Sequence, residues 1–142
     1  MIRFFVPGIP IAKGNMRIFT NTKGKPFMVD KRSASLSSWA SEIKSAAMKA
    51  KATVSHDAVC LDMVFHMQRP KSHYNRKGDI KESMIDKPHI TRSDLDKMVR
   101  MVLDSLTGIA YADDSQVCYL DAEKSYADEG TGFKPGVTIE IS

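Results

Sequence analysis

Asp94-Leu95-Asp96 and Asp113-Asp114 place carboxylates in two short runs about one helix-length apart. Hard divalent cations such as Mg²⁺ take oxygen ligands of this kind, a few carboxylates with water and substrate phosphate completing the octahedron. The first run stands where a long polar stretch gives way to a helical period, so Leu95 enters the core while the acids on either side stay outside. Inside a regular helix, residues i and i+2 point about 200° apart, and only a cap conformation at Asp94 lets its side chain turn back toward Asp96. A blander reading is open: Ser93 or Asp94 caps the helix, Asp96 favours its positive end, and Asp113-Asp114 is a solvated turn. Arg100, one turn beyond the first pair, can contact a scissile phosphate and stabilise charge developing there. Equally, Asp96/Arg100 and Arg100/Asp104 have the spacing of ordinary surface ion pairs.

Just upstream lies a cationic segment. Between Arg69 and Arg92 there are seven Lys or Arg (Arg69, Lys71, Arg76, Lys77, Lys81, Lys87, Arg92) and three acids (Asp79, Glu82, Asp86). Its net charge of +4 equals that of the whole 142-residue chain, so the remainder is balanced and the positive field adjoins the acids. Such a field steers a polyanion toward them. Tyr74, His73 and His89 add groups that can stack on a base or bond a phosphate, or simply face solvent. Lys13, Arg17, Lys23 and Lys25 form a second basic set near the N-terminus, which ordinary solubility would also explain.

The elements that must position these groups follow from periodicity. Ile2 to Val6 is β-prone and stops at Pro7-Gly8; Arg17 to Asn21 and Phe27 to Asp30 flank the turn Thr22-Lys23-Gly24-Lys25. Leu36, Trp39, Ala40, Ile43, Ala47 and Ala50 make a helical stripe, with Ser33 or Ser35 as its expected cap. Val59, Leu61, Met63, Phe65 and Met67 alternate with Cys60, Asp62, Val64, His66 and Gln68, the two-residue period of a half-buried strand. Leu95, Met98, Val99, Val102, Leu103 and Leu106 share one helix face, and Gly108 supplies the stop. Gln116 to Tyr126 and Val137 to Ile141 are two further strands, separated by a turn from Asp128 to Gly136. The expected fold is α+β, a mixed or antiparallel sheet with two main helices packed on it, in one domain over residues 1–142.

Composition narrows the class of function. A hydrophobic content of 42% supports a core beneath a charged surface. No apolar run is long enough to span a bilayer, and the opening Met1-Ile2-Arg3-Phe4-Phe5 lacks the form of a signal peptide, so a cytoplasmic protein with no membrane partner is expected. Cys60 and Cys118 have no zinc-ligand spacing and are expected to be reduced, partly buried thiols.

The runs Asp94-Leu95-Asp96-Lys97-Met98-Val99-Arg100, Leu103-Asp104-Ser105-Leu106-Thr107-Gly108 and Asp113-Asp114-Ser115-Gln116-Val117 together resemble the RusA-type Holliday-junction resolvases. Pro10-Ile11-Ala12-Lys13-Gly14, Arg69-Pro70-Lys71-Ser72-His73-Tyr74 and Lys124 extend the likeness over most of the chain. The resemblance implies a homodimeric endonuclease, often encoded by phages or prophages, that uses Mg²⁺ or Mn²⁺ to nick two opposed strands of a four-way DNA junction. It carries the metal carboxylates over to Asp94, Asp96 and Asp114, with Asp113 accessory, and gives Arg100 a catalytic place. The best-known member has a lysine where Arg100 stands and an asparagine where Lys97 stands; an arginine holds a phosphate differently from a lysine. The cations expected to contact DNA are Arg69, Lys71, Arg76, Lys77, Lys13, Lys97 and Lys124. Two rivals remain open, a branched-DNA-binding module without catalysis and a metal-dependent nucleotide phosphohydrolase, for which the basic loop is oversized.

Overall fold

The structure is a computed structural model that describes residues 1–14, 16–20, 22–30 and 33–142. Its strands are β1 (Ile2–Pro7), β2 (Met16–Thr20), β3 (Pro26–Asp30), β4 (Val59–Met67), β5 (Val117–Tyr126) and β6 (Gly136–Ile141), and its α-helices are α1 (Ser33–Lys49) and α2 (Leu95–Leu106). The main sheet has the order β1-β6-β4-β5, while β2 and β3 pair with each other as a separate antiparallel hairpin. Asn21, the last residue of the expected second strand, lies outside the described residues, as does the Arg17 side chain. Ser33 is already the first residue of α1 and Ser35 the third, so neither stands before the helix as its cap.

The alternation read in β4 decides which face of the sheet is covered. Val59, Leu61, Met63, Phe65 and Met67 are all buried, and their neighbours on β6, Ile141, Ile139 and Val137, are buried with them. Val6 of β1 continues the same face. Against it pack Leu36, Trp39, Ile43 and Ala47 of α1 and the apolar stripe of α2. In α2 the buried arc is shifted from its six-residue stripe: Met101 and Ser105 are buried while Leu95 and Leu103 are only half-buried, and the Ser105 hydroxyl is satisfied by donating to Met101 O at 2.7 Å.

The sheet is mixed because β4 pairs antiparallel with β6 and parallel with β5. Parallel neighbours need a crossover, and here the chain from Gln68 to Gln116 supplies it, carrying α2 within it. The acids therefore lie on the connection between two adjacent parallel strands. Much of residues 69–93 is organised by short turns, with 3₁₀ turns at Lys71–His73 and Glu82–Met84 and a bridge between Tyr74 and Ile80. Cys60 is half-buried and Cys118 exposed, both as free thiols; Cys118 is thus less buried than expected because it sits at the register shift that opens β5. Among the described residues no helix is long and apolar enough to cross a membrane.

Candidate active site

Asp94 occupies the cap position of α2 with extended backbone (φ −69°, ψ 134°), and its carbonyl accepts the first helical bond from Met98 N at 3.2 Å. Its side chain makes no capping hydrogen bond. An aspartate here normally satisfies one of the orphan amides of the first turn; this one keeps its carboxylate exposed in a cleft of about 260 Å³, lined by Ala12, Lys13, Gly14, Arg92, Ser93 and Lys97. Asp96 is exposed in the first turn of α2. The Lys97 ammonium donates to its Oδ2 at 3.0 Å and holds the Asp96 carboxyl below the usual carboxylate range.

The segment Pro10 to Gly14 closes one wall of the cleft. Lys13 N donates to Lys97 O at 3.1 Å, while the Lys13 ammonium reaches Asp104 Oδ2 at 2.6 Å. Gly14 has φ +147°, a conformation that favours glycine, and it lies against the Lys97 stem, with an added Cβ falling 2.8 Å from Lys97 Cδ. Asp104 pairs with Lys13, and Asp96 with Lys97, rather than either with Arg100; Arg100 is exposed and joins no ion pair among the described residues.

The second acidic run sits at a corner built by hydrogen bonds. Asp113 caps the 3₁₀ turn Asp114–Gln116 by accepting from Ser115 N at 2.8 Å, and that bond keeps its carboxyl below the usual range. Gln116 Oε1 accepts from Ala112 N and Asp113 N, both at 2.9 Å, and its Nε2 donates to Ser55 O at 2.9 Å and Asp57 O at 2.8 Å. Four bonds from one side chain pin the corner that presents Asp114 to solvent. Tyr111, wholly buried, anchors the same corner to α2 by donating its hydroxyl to Leu103 O at 2.7 Å. Burial first, then the negative charges of Asp114 and Asp104, push its phenol far above the ordinary value.

These contacts trace one flank of α2, running from Asp94 through Lys97 and Lys13 to Asp104, Tyr111 and Asp114. The first acidic run stands at the start of α2, while the corner carrying the second is tied through the Tyr111 hydroxyl to Leu103, about 12 Å along the axis from Leu95 at 1.5 Å per residue. Among the described residues no three His, Cys, Asp or Glu side chains stand close enough to share one ion. Asp94 lines the cleft, Asp96 follows it in the first turn of α2, and Asp113 and Asp114 stand at the corner; among the described residues Asp94, Asp96 and Asp114 are not gathered into one cage.

The expected DNA-contacting cations divide into two kinds. Lys71, Arg76 and Lys77 are exposed on the loop. Arg69, Lys13, Lys97 and Lys124 are engaged inside the protein. Arg69 lies 4.5 Å over the Tyr126 ring and donates to Met84 O at 3.0 Å and Ile85 O at 3.3 Å, tying the loop back to the sheet. Lys124 donates to Thr91 O and Ser93 O, each at 2.9 Å. Three residues that build the site carry no such role in the sequence reading: Gln116, Tyr111 and Asp104, the last of which pairs with Lys13 and not with Arg100 as its spacing allowed. The capping-box spacing Asp113-x-x-Gln116 is the signal that marks the first; burial of Tyr111 and pairing of Asp104 with a lysine 91 positions away have no local signature.

Comparison with known proteins adds the family. No curated protein sequence matches the chain. The family model described as Endodeoxyribonuclease RusA matches residues 7–142, which takes in the cleft, the basic loop and the corner alike. With nearly the whole length matched, the chain belongs to the RusA endodeoxyribonuclease family.

Proposed function

We propose that this chain is a Mg²⁺-dependent, structure-specific endodeoxyribonuclease that resolves four-way DNA junctions by paired nicks, in recombination and repair. The observation that carries the proposal is the start of α2, where the cap-position carboxylate of Asp94 is left out of capping and lines a cationic cleft, with Asp96 following in the first turn. Mg²⁺ typically needs only one or two protein carboxylates besides water and substrate phosphate, so this donor set fits it. Asp94 and Asp96 would hold the ion, with Asp114 and its neighbour Asp113 the further carboxylates on the same flank; Mn²⁺ would substitute. When bound, such an ion activates a water and stabilises the leaving oxygen of a phosphodiester.

The protein's own groups do the rest. Lys97 keeps Asp96 ionised and holds its carboxylate by a hydrogen bond. Arg100, one turn along from Asp96 and outside any ion pair among the described residues, is available to a backbone phosphate. Lys71, Arg76 and Lys77 offer exposed charge that reads phosphate placement with little sequence information, which suits recognition of branched shape. A homodimer would match the two-fold symmetry of a junction. The outer edge of β5, with Tyr119 and Leu120 exposed to 52% and 43%, is a surface that a second copy would cover.

One observation favours a second reading, a junction-binding module without chemistry: among the described residues no three His, Cys, Asp or Glu side chains stand close enough to share an ion. Purified protein incubated with synthetic four-way junctions and with linear duplex, in Mg²⁺ or in EDTA, tests both. The nuclease reading predicts paired nicks in the junction alone and only with Mg²⁺. Tight junction binding with no nicking at any Mg²⁺ concentration would establish the binding module instead.

A further inference from the structure

Lys124 stands in β5 opposite Phe65 of β4, and Phe65 is wholly buried on the helix-covered face. Neighbouring residues in register project to the same side of a sheet, so Lys124 sends its stem toward that face and is half-buried. A lysine so placed carries its ammonium over the covered face to the chain segment that precedes α2. Its partners are backbone carbonyls: Nζ donates to Thr91 O and to Ser93 O, each at 2.9 Å. Two of its three donors are therefore spent on the last residues before α2.

The Ser93 carbonyl belongs to the same rigid peptide plane as the Asp94 amide nitrogen. Fixing that oxygen fixes the plane from which the Asp94 side chain departs. Asp94 takes no capping bond that would fix its carboxylate directly. Its direction is set through the backbone, and Lys124 is the side chain that grips the backbone there.

We propose that Lys124 is a positioning residue that clamps the 91–93 segment and thereby aims Asp94 into the cleft, acting through two carbonyls rather than by touching DNA. The inference rests on the reading of Asp94 as a metal ligand. Residues that orient a ligand from behind typically change metal affinity by about 10- to 100-fold when removed.

The test compares Lys124→Gln, Lys124→Met and Lys124→Arg with the wild type in three measurements. Calorimetric Mg²⁺ titration without DNA should show affinity falling by about 10- to 100-fold in the Gln and Met variants, with Arg, which can still donate to two carbonyls, recovering most of it. Hydrogen exchange on metal-free protein should show the Met98 amide, which donates to Asp94 O, exchanging at least about tenfold faster in those variants, as the first turn opens locally. Junction affinity in EDTA, and its salt dependence, should be unchanged. Met is the control for folding, since it keeps the apolar stem. Wild-type Mg²⁺ affinity in the Gln and Met variants would overturn the proposal, as would weaker junction binding with a salt slope reduced by about one, the mark of a lost phosphate contact. If the wild type itself binds no Mg²⁺, the ligand reading fails, and the Met98 exchange rate alone then decides whether Lys124 is a clamp.

Discussion

Replacing Asp94 by asparagine or alanine separates the two uses that a carboxylate at a helix start can have. A capping aspartate lost to alanine costs about 0.5–2 kcal/mol. Here the side chain makes no capping bond and is exposed, so what remains is its interaction with the positive helix end, about 0.3–1 kcal/mol for an exposed charge at low salt and less at physiological salt. Urea unfolding in EDTA should therefore place both variants within about 0.5 kcal/mol of wild type. Added Mg²⁺ should then split them: a ligand that binds only the folded state at a hundred times its Kd stabilises by about 2.7 kcal/mol, and the variants should lose most of that gain. A loss of about 1.5 kcal/mol or more in EDTA, with the Mg²⁺ increment intact, would identify Asp94 as a cap and refute the argument from its uncommitted carboxylate.

Two other expectations follow from the structure. Tyr111→Phe removes the donor to Leu103 O and should destabilise by about 1 kcal/mol in urea unfolding; it should also slow junction cleavage, since the corner carrying Asp114 loses its tie to α2, and unchanged stability together with unchanged rate would contradict this. Burial holds His66 and His89 below the ordinary histidine value, and the Nδ1 of each is buried without a hydrogen-bond partner. The unfolded chain then takes up protons near pH 6.5 that the folded chain refuses, so stability should be full above about pH 6.5 and fall as pH is lowered through that value. The urea midpoint should be lower at pH 5.5 than at 7.5, and a flat or rising profile would contradict the assignment. Asp96 and Asp113, held low by their hydrogen bonds, lose their contributions only at more acid pH and leave this window to the histidines.

How much of this was legible in the sequence depends on whether the cause was local. The stripe of α2 and the alternation of β4 are local patterns, and both elements form where the patterns stand. Parallel pairing of β4 with β5 is not local: it depends on the crossover through α2, and the same strand pattern permits either direction. The acidic runs were legible as candidates, but their arrangement was not. Asp113 and Asp94 look alike in sequence, each preceding a helical turn, yet Asp113 caps its turn and Asp94 does not. Cations were the least legible. Residue type gives a charge and a reach; only the fold reveals that Lys124 and Arg69 spend theirs on carbonyls and Lys13 on Asp104.

The most direct measurement is the rate at which an Asp96→Asn variant nicks a synthetic four-way junction in saturating Mg²⁺, alongside wild type, with junction binding in EDTA recorded for both. Loss of a metal-ligating carboxylate should lower the rate by more than the roughly 10- to 100-fold typical of losing a residue that only orients a ligand, while binding without metal stays intact. Nicking by the variant at the wild-type rate would contradict the placement of the catalytic ion at the start of α2.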